Sequence, residues 1–276
     1  MVKPIQPNSK NACEFVCATL SCSILLDTSF IYLIGEIMQA GIKGTTMPVL
    51  EVSLSPGDTI ISNRGEFSWM TQNVNMSQTA GGSAHGGLLG AAKRALGGGS
   101  ILLTQFTVTQ GQGLIAFAAK LPGHIAPVEI SPGHEWFVHH DGWVCGTEGI
   151  NPSVAPTTSF KGTAFGGEGF TLQKLEGQGT AWIELGGELI NYDLQDGQEL
   201  LVHPGHVAAF ESTITYTAHR LPGIVNRWAG GDGHWVASVT GPGKLWLQTM
   251  PVSILASDLQ PYLPTTQRPS GGINFG

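Results

Sequence analysis

Three stretches of this chain align without gaps around one turn, and this internal repetition constrains the fold more than any other feature. They are residues 52–58 (VSLSPGD), 128–134 (VEISPGH) and 192–198 (YDLQDGQ). Each is an alternating apolar strand that runs into a Gly-containing turn. A further short apolar stretch follows each turn, at Thr59–Asn63, 135–139 and 199–203. A second turn signal then comes at Arg64-Gly65, His140-Asp141-Gly142 and Pro204-Gly205. Later in each segment two strands flank a Gly-x-Gly turn, at Gly111 to Gly113, Gly177 to Gly179 and Gly241 to Gly243. Gly-rich lead-ins at residues 97–100, 165–169 and 229–233 precede them.

Such segments imply a structural repeat of about 65 residues that cannot bury a face alone, so the copies share a core. The expected fold class is all-β: a triplicated β-sandwich, or double-stranded β-helix-like body, with pseudo-threefold internal repeats. The repeats are placed at about residues 48–124, 125–188 and 189–254 of one domain spanning 42–264. Thirty-nine Gly and 16 Pro among 276 residues suit a chain of short strands joined by tight turns. Two short helices are expected, at 88–96 and Val252–Leu259, and a disordered tail at 265–276. The tryptophans, among them Trp136, Trp182 and Trp246, fall on alternating strands and are assigned to core packing.

Residues 1–41 read differently. Lys3 and Lys10 precede an apolar stretch from Phe15 to Ile37 that Glu14, Asp27 and Glu36 interrupt. No small-residue cleavage site follows, and the uninterrupted run falls short of the roughly 20 residues of a membrane span. The segment is read as an extension or a weak amphipathic helix, with a membrane anchor as the alternative. Cys13, Cys17 and Cys22 lie here at spacings unlike a zinc knuckle, whereas Cys145 is alone in the body. That distribution excludes a disulfide framework in the body and suits a reducing compartment.

Charge narrows the partners. Twenty acidic residues outweigh 13 basic ones for a net charge of −7, so no nucleic-acid partner is expected. Only 12% of the residues are charged, which hints at surface covered by other copies of the chain.

The Gly-rich residues 81–99 lack the Gly-Lys-Ser/Thr of a phosphate-binding loop, because Lys93 follows Ala91-Ala92 and no hydroxyl residue comes next. There is no Gly-x-Ser-x-Gly elbow, and Cys145 between Val144 and Gly146 has no visible activation. No catalytic residue and no cofactor are therefore assigned, and the chain is not expected to be an enzyme. Histidines are the remaining candidates. His139-His140 followed by Glu148 approaches the His-x-His…Glu pattern of metal-binding cupins. Neighbouring side chains of a strand point to opposite faces, so His139 and His140 are not expected to share a metal. His139 also aligns with Asn63 and His203 at the mouth of a repeated turn, and His203-Pro-Gly-His206 could bring two imidazoles together. The candidate metal ligands are thus His139, His203 and His206.

Residues 45–50 (TTMPVL), 87–96 (GLLGAAKRAL), 165–169 (FGGEG), 203–207 (HPGHV) and 241–248 (GPGKLWLQ) together resemble one family. It is the bacterial and archaeal family related to the mitochondrial protein named for altered inheritance of mitochondria. The resemblance runs from Ile42 to Pro264. It implies a fold similar to the tryptophan RNA-binding attenuation protein, triplicated within one chain, and a homo-oligomer, a trimer. The eukaryotic relatives are linked to organisation of the mitochondrial inner membrane, and the prokaryotic members have no settled activity. No site residue carries over, and the fold does not bring RNA binding with it.

The leading functional expectation is a non-catalytic oligomeric scaffold, cytoplasmic or peripheral to a membrane, whose partners are itself and a protein or membrane surface. The alternative is a small-ligand or metal-binding protein, or an enzyme, with cupin-like geometry. An RNA-binding regulator is the third reading, and the charge balance opposes it.

Overall fold

The computed structural model describes residues 30–34, 38–80, 102–155, 171–220 and 235–263. Its strands follow the alternation of apolar side chains. Strand β1 (Phe30–Ile34) pairs with β2 (Met38–Lys43), and β2 pairs in turn with β3 (Val49–Leu54). In β3 the residues Leu50, Val52 and Leu54 are fully buried while the intervening side chains reach solvent, the period of two that one covered sheet face demands. β2 runs across the boundary expected at residue 41, and Met38 and Ala40 lie in the core. Two strands therefore occupy the end of a segment read from sequence as an extension or helix. β2 adds to the open edge of β3, which a local hydropathy pattern does not reveal.

From β3 onward the strands fall into runs of six. The first continues with β4 (Thr59–Asn63), β5 (Trp69–Met70), β6 (Val74–Ala80), β7 (Leu102–Val108) and β8 (Gly113–Ala118). The second holds β9 (Gly123–Ile130), β10 (Trp136–His139), β11 (Trp143–Thr147), β12 (Ile150–Val154), β13 (Leu172–Gly177) and β14 (Gly179–Gly186). The third holds β15 (Leu189–Leu194), β16 (Glu199–Val202), β17 (Val207–Glu211), β18 (Thr215–Arg220), β19 (Trp235–Thr240) and β20 (Gly243–Gln248).

One antiparallel pairing rule holds in every run. The first strand pairs with the sixth. The third also pairs with the sixth. The fifth takes both the second and the fourth. Successive runs are sewn together where the second strand of one pairs with the third strand of the next, β4 with β11 and β10 with β17. Two six-stranded sheets result, in the orders β6-β7-β4-β11-β14-β9 and β12-β13-β10-β17-β20-β15. A five-stranded sheet, β1-β2-β3-β8-β5, stands at one end and a three-stranded sheet, β16-β19-β18, at the other. Pro127 in β9 and Pro152 in β12 both sit on strands that end their sheets, where a missing N–H breaks no ladder.

The aligned turns share one geometry. Asp58, His134 and Gln198 each donate their backbone N–H to the carbonyl three residues earlier, at 3.0, 2.8 and 3.0 Å. Gly57, Gly133 and Gly197 stand at the third position with φ of 100°, 84° and 72°. This is the type II arrangement that favours Gly there, and Pro56 and Pro132 preset the preceding residue.

The core carries the aromatic weight expected of it. Trp143 and Trp182 are fully buried, and Trp136 packs on the partly buried Trp246 with ring centroids 5.0 Å apart. Helix α1 (Val252–Leu259) occupies the span expected from sequence. The helix expected at 88–96, the Gly-rich lead-ins, Cys13, Cys17, Cys22 and the tail at 265–276 lie outside the described residues. Among the described residues no helix is long and apolar enough to cross a membrane.

Candidate functional site

The polar chemistry gathers where successive runs meet, on the turns that follow β4, β10 and β16. At the first seam Asn63 ends β4 and donates its side-chain amide to the carbonyl of Trp143 at 2.9 Å. Just beyond, Lys120 Nζ lies 2.5 Å from Glu66 Oε1, and the Lys120 backbone N–H donates to Glu184 Oε1 at 2.7 Å. Burial pushes the carboxyls of both Glu66 and Glu184 above the ordinary carboxylate value, against the pull of Lys120. One lysine thus serves two carboxylates, its ammonium on Glu66 between β4 and β5 and its backbone N–H on Glu184 of β14.

Beside them is the turn after β10. His140 Nε2 lies 2.9 Å from Asp141 Oδ2, and this contact holds the Asp141 carboxyl below its usual value. The rings of His139 and His140 sit 4.5 Å apart between centroids. Ligand atoms of His139, His140 and Asp141 all fall within 4.8 Å of one another. Burial, reinforced by His140, lowers the His139 pKa to about 4, so this imidazole is neutral near pH 7. His140 Nδ1 is buried and has no hydrogen-bond partner among the described residues. A cavity of about 60 Å³ opens here, lined by Lys120, His139, Asp141, Glu184, Gln248 and Ser253 among others.

The opposite-face argument for His139 and His140 fails for a local reason. β10 ends at His139, so His140 is already in the turn and the strand's alternation no longer directs its side chain. The turn folds both rings back to one side, close to Asp141.

At the second seam Gln248 takes the place that Glu184 holds at the first. Its Oε1 accepts the Gly186 N–H at 3.0 Å, as Glu184 accepts that of Lys120. Its Nε2 donates to the Gly205 carbonyl at 3.1 Å, and its own carbonyl lies 2.8 Å from His206 Nδ1. A carbonyl only accepts, so His206 carries its proton on Nδ1. His203 Nδ1 instead accepts the Gly205 N–H at 3.3 Å and caps a short 3-10 turn, Pro204–His206. The His203 and His206 rings stand 5.9 Å apart, edge to face.

The three histidines singled out from sequence therefore do not converge. His203 and His206 share one turn, each with Nδ1 engaged by backbone. His139 belongs to the neighbouring turn with His140 and Asp141, the one group of three or more metal-capable side chains among the described residues. Glu66, Lys120, Glu184 and Gln248 were not singled out. Lys120 meets partners 54 and 64 residues away, and no local pattern announces such contacts. A charged or amide residue at one aligned position, Glu184 between Ile183 and Leu185 or Gln248 after Leu247, is the only trace they leave.

The family model described as Mitochondrial biogenesis AIM24 matches residues 40–250 of the chain. An uncharacterized protein of Streptococcus pyogenes serotype M6 is 26% identical over 227 residues, which cover 81% of this chain and 90% of that relative. A crystal structure of a Streptococcus pyogenes protein, a structural genomics target, matches with a TM-score of 0.64 at 22% identity. It covers 82% of this chain and 100% of its own, and shows a shared fold.

Proposed function

The chain belongs to the Mitochondrial biogenesis AIM24 family, and from that premise we propose that it is a non-catalytic scaffold that assembles with copies of itself. One observation carries the reading: large apolar side chains are exposed on strands that end their sheets. They include Trp69 on β5, Met76 on β6, Val154 on β12 and Leu201 on β16. An open edge with apolar side chains is a template for another strand, and soluble chains blunt or cover such edges. The polar groups at the seams support the same reading. Lys120 with Glu184, and Gln248 with Gly186, spend hydrogen bonds on joining one run to the next. The cavity they line, at about 60 Å³, is far below the several hundred Å³ typical of a small-molecule site. A buried, unpaired Cys145 suits a cytoplasmic setting.

A second reading rests on the turn after β10. Two imidazoles and a carboxylate within 4.8 Å make a donor set suited to zinc or a similar divalent cation. The unpartnered Nδ1 of His140 favours it.

Native mass spectrometry of protein purified without chelator separates the two. The scaffold reading expects a whole multiple of the bare 29.1 kDa chain, three chains being what the family resemblance implies. A reproducible excess equal to one metal ion per chain, lost in a His140→Ala variant, would favour the second reading. A bare single chain at micromolar concentration would sink the first.

A further inference from the structure

The pairing rule leaves two strands without the neighbour their counterparts have. Inside the chain, the second strand of one run pairs with the third strand of the next. β16 has no such neighbour among the described residues and ends its sheet, and β5 likewise ends its own. Among the described residues these two strands are not paired with each other.

Burial records the difference. Ile61 on β4 and Phe137 on β10 are covered by the next run, at 5% and 9% exposure, whereas the equivalent Leu201 on β16 is 61% exposed. On the facing side, Cys145 and Ala209 are fully buried while the equivalent Trp69 on β5 is 45% exposed. A groove of about 410 Å³ beside β16 is lined by Ile190, Tyr192, Leu200, Leu201, His203 and Leu247 among others.

We propose that β16 of one chain pairs with β5 of a second copy, head to tail, so that the seam joining runs within a chain is repeated between chains. This rests on the self-assembly proposed above and adds the strands and the register. A second copy is the occupant because the chain itself carries the complementary edge. Trp69 and Met70 stand where the third strands of the other runs present Cys145 with Gly146, and Ala209 with Phe210, to a partner like β16.

The internal seams fix the register. Ile61 stands opposite Gly146, and Phe137 opposite Phe210. Met70, Gly146 and Phe210 are equivalent because each pairs with the residue two beyond the start of its sixth strand: Ile115, Ala181 and Leu245. Leu201 of one chain therefore faces Met70 of the other, with Val202 opposite Trp69. Such an interface uses different surfaces on its two sides, so repetition closes a ring or continues as a filament.

Cross-linking tests this on the full chain. The double variant Met70→Cys/Leu201→Cys is prepared with Cys13, Cys17 and Cys22 changed to Ser, Cys145 being buried. Under mild oxidation it is expected to give a ladder of disulfide-linked multimers, and each single-cysteine variant is expected to give none. A disulfide within one chain would mean that the seam closes internally and would overturn the proposal. An assembly of wild-type mass that forms no cross-link would overturn the pairing while leaving self-assembly standing. A single-chain native mass would remove both.

Discussion

Trp182→Ala is expected to lower the free energy of unfolding by about 3–5 kcal/mol, the range for truncating a buried Phe or Trp. Trp182 is fully buried and lies on β14, the strand that carries both β9 and β11. Its Cα partners are Pro127 on β9 and Cys145 on β11. Its indole belongs to the cluster holding Leu50, Val52 and Phe117 of the first run. The side chain thus ties two runs together, and a hole left there cannot be filled by one loop collapsing. The indole N–H is buried without a hydrogen-bond partner among the described residues. Trp182→Phe discards that donor, so it should cost less than half as much as Ala. Urea unfolding of the two variants checks this, and equal losses would contradict it.

The second large effect is expected at Gly123, where Ala should cost about 1–3 kcal/mol, toward the upper end of the range for forcing atoms into a packed site. A Cβ there would stand 2.0 Å from the Leu185 carbonyl oxygen and 3.1 Å from both Gly186 Cα and Gly187 N. All three are backbone atoms, so no side chain can rotate out of the way. Gly123 faces Gly186 across the β9–β14 ladder and donates its own N–H to the Thr46 carbonyl at 2.9 Å, so a shift disturbs the join between the first two runs. Gly57→Ala is the control. Its Cβ would meet nothing within 4 Å, and only the positive φ of 100° penalises it, by about 1 kcal/mol. Thermal or urea unfolding should rank Gly123→Ala as the worse of the two.

Much of the fold was legible because short-range patterns dictate it. Pro56-Gly57 and Pro132-Gly133 between alternating strands specify their turns with no reference to the rest of the chain, and the all-β class follows. Val252–Leu259, where the repeating pattern ends, forms the expected helix. What stayed hidden depends on distant partners. Met38 and Ala40 are core residues only because β3 presents an open edge to β2. Asn63 reads as a turn residue, and its bond to Trp143, 80 positions on, appears only when two runs meet. The candidate site was half legible for the same reason. His139 stood out as a titratable residue at an aligned turn. His140 was set aside by a strand rule that stops applying one residue earlier, and Lys120, Glu66 and Glu184 came together through tertiary contact alone.

The central claim, assembly through the open strand β16, is tested most directly by the native mass of Leu201→Lys beside the wild-type chain. Leu201 is 61% exposed, so the variant chain should still fold, and Lys on an open edge discourages strand addition. The expected result is a wild-type mass of several chains and a variant mass of one. A variant that keeps the wild-type mass would contradict the account.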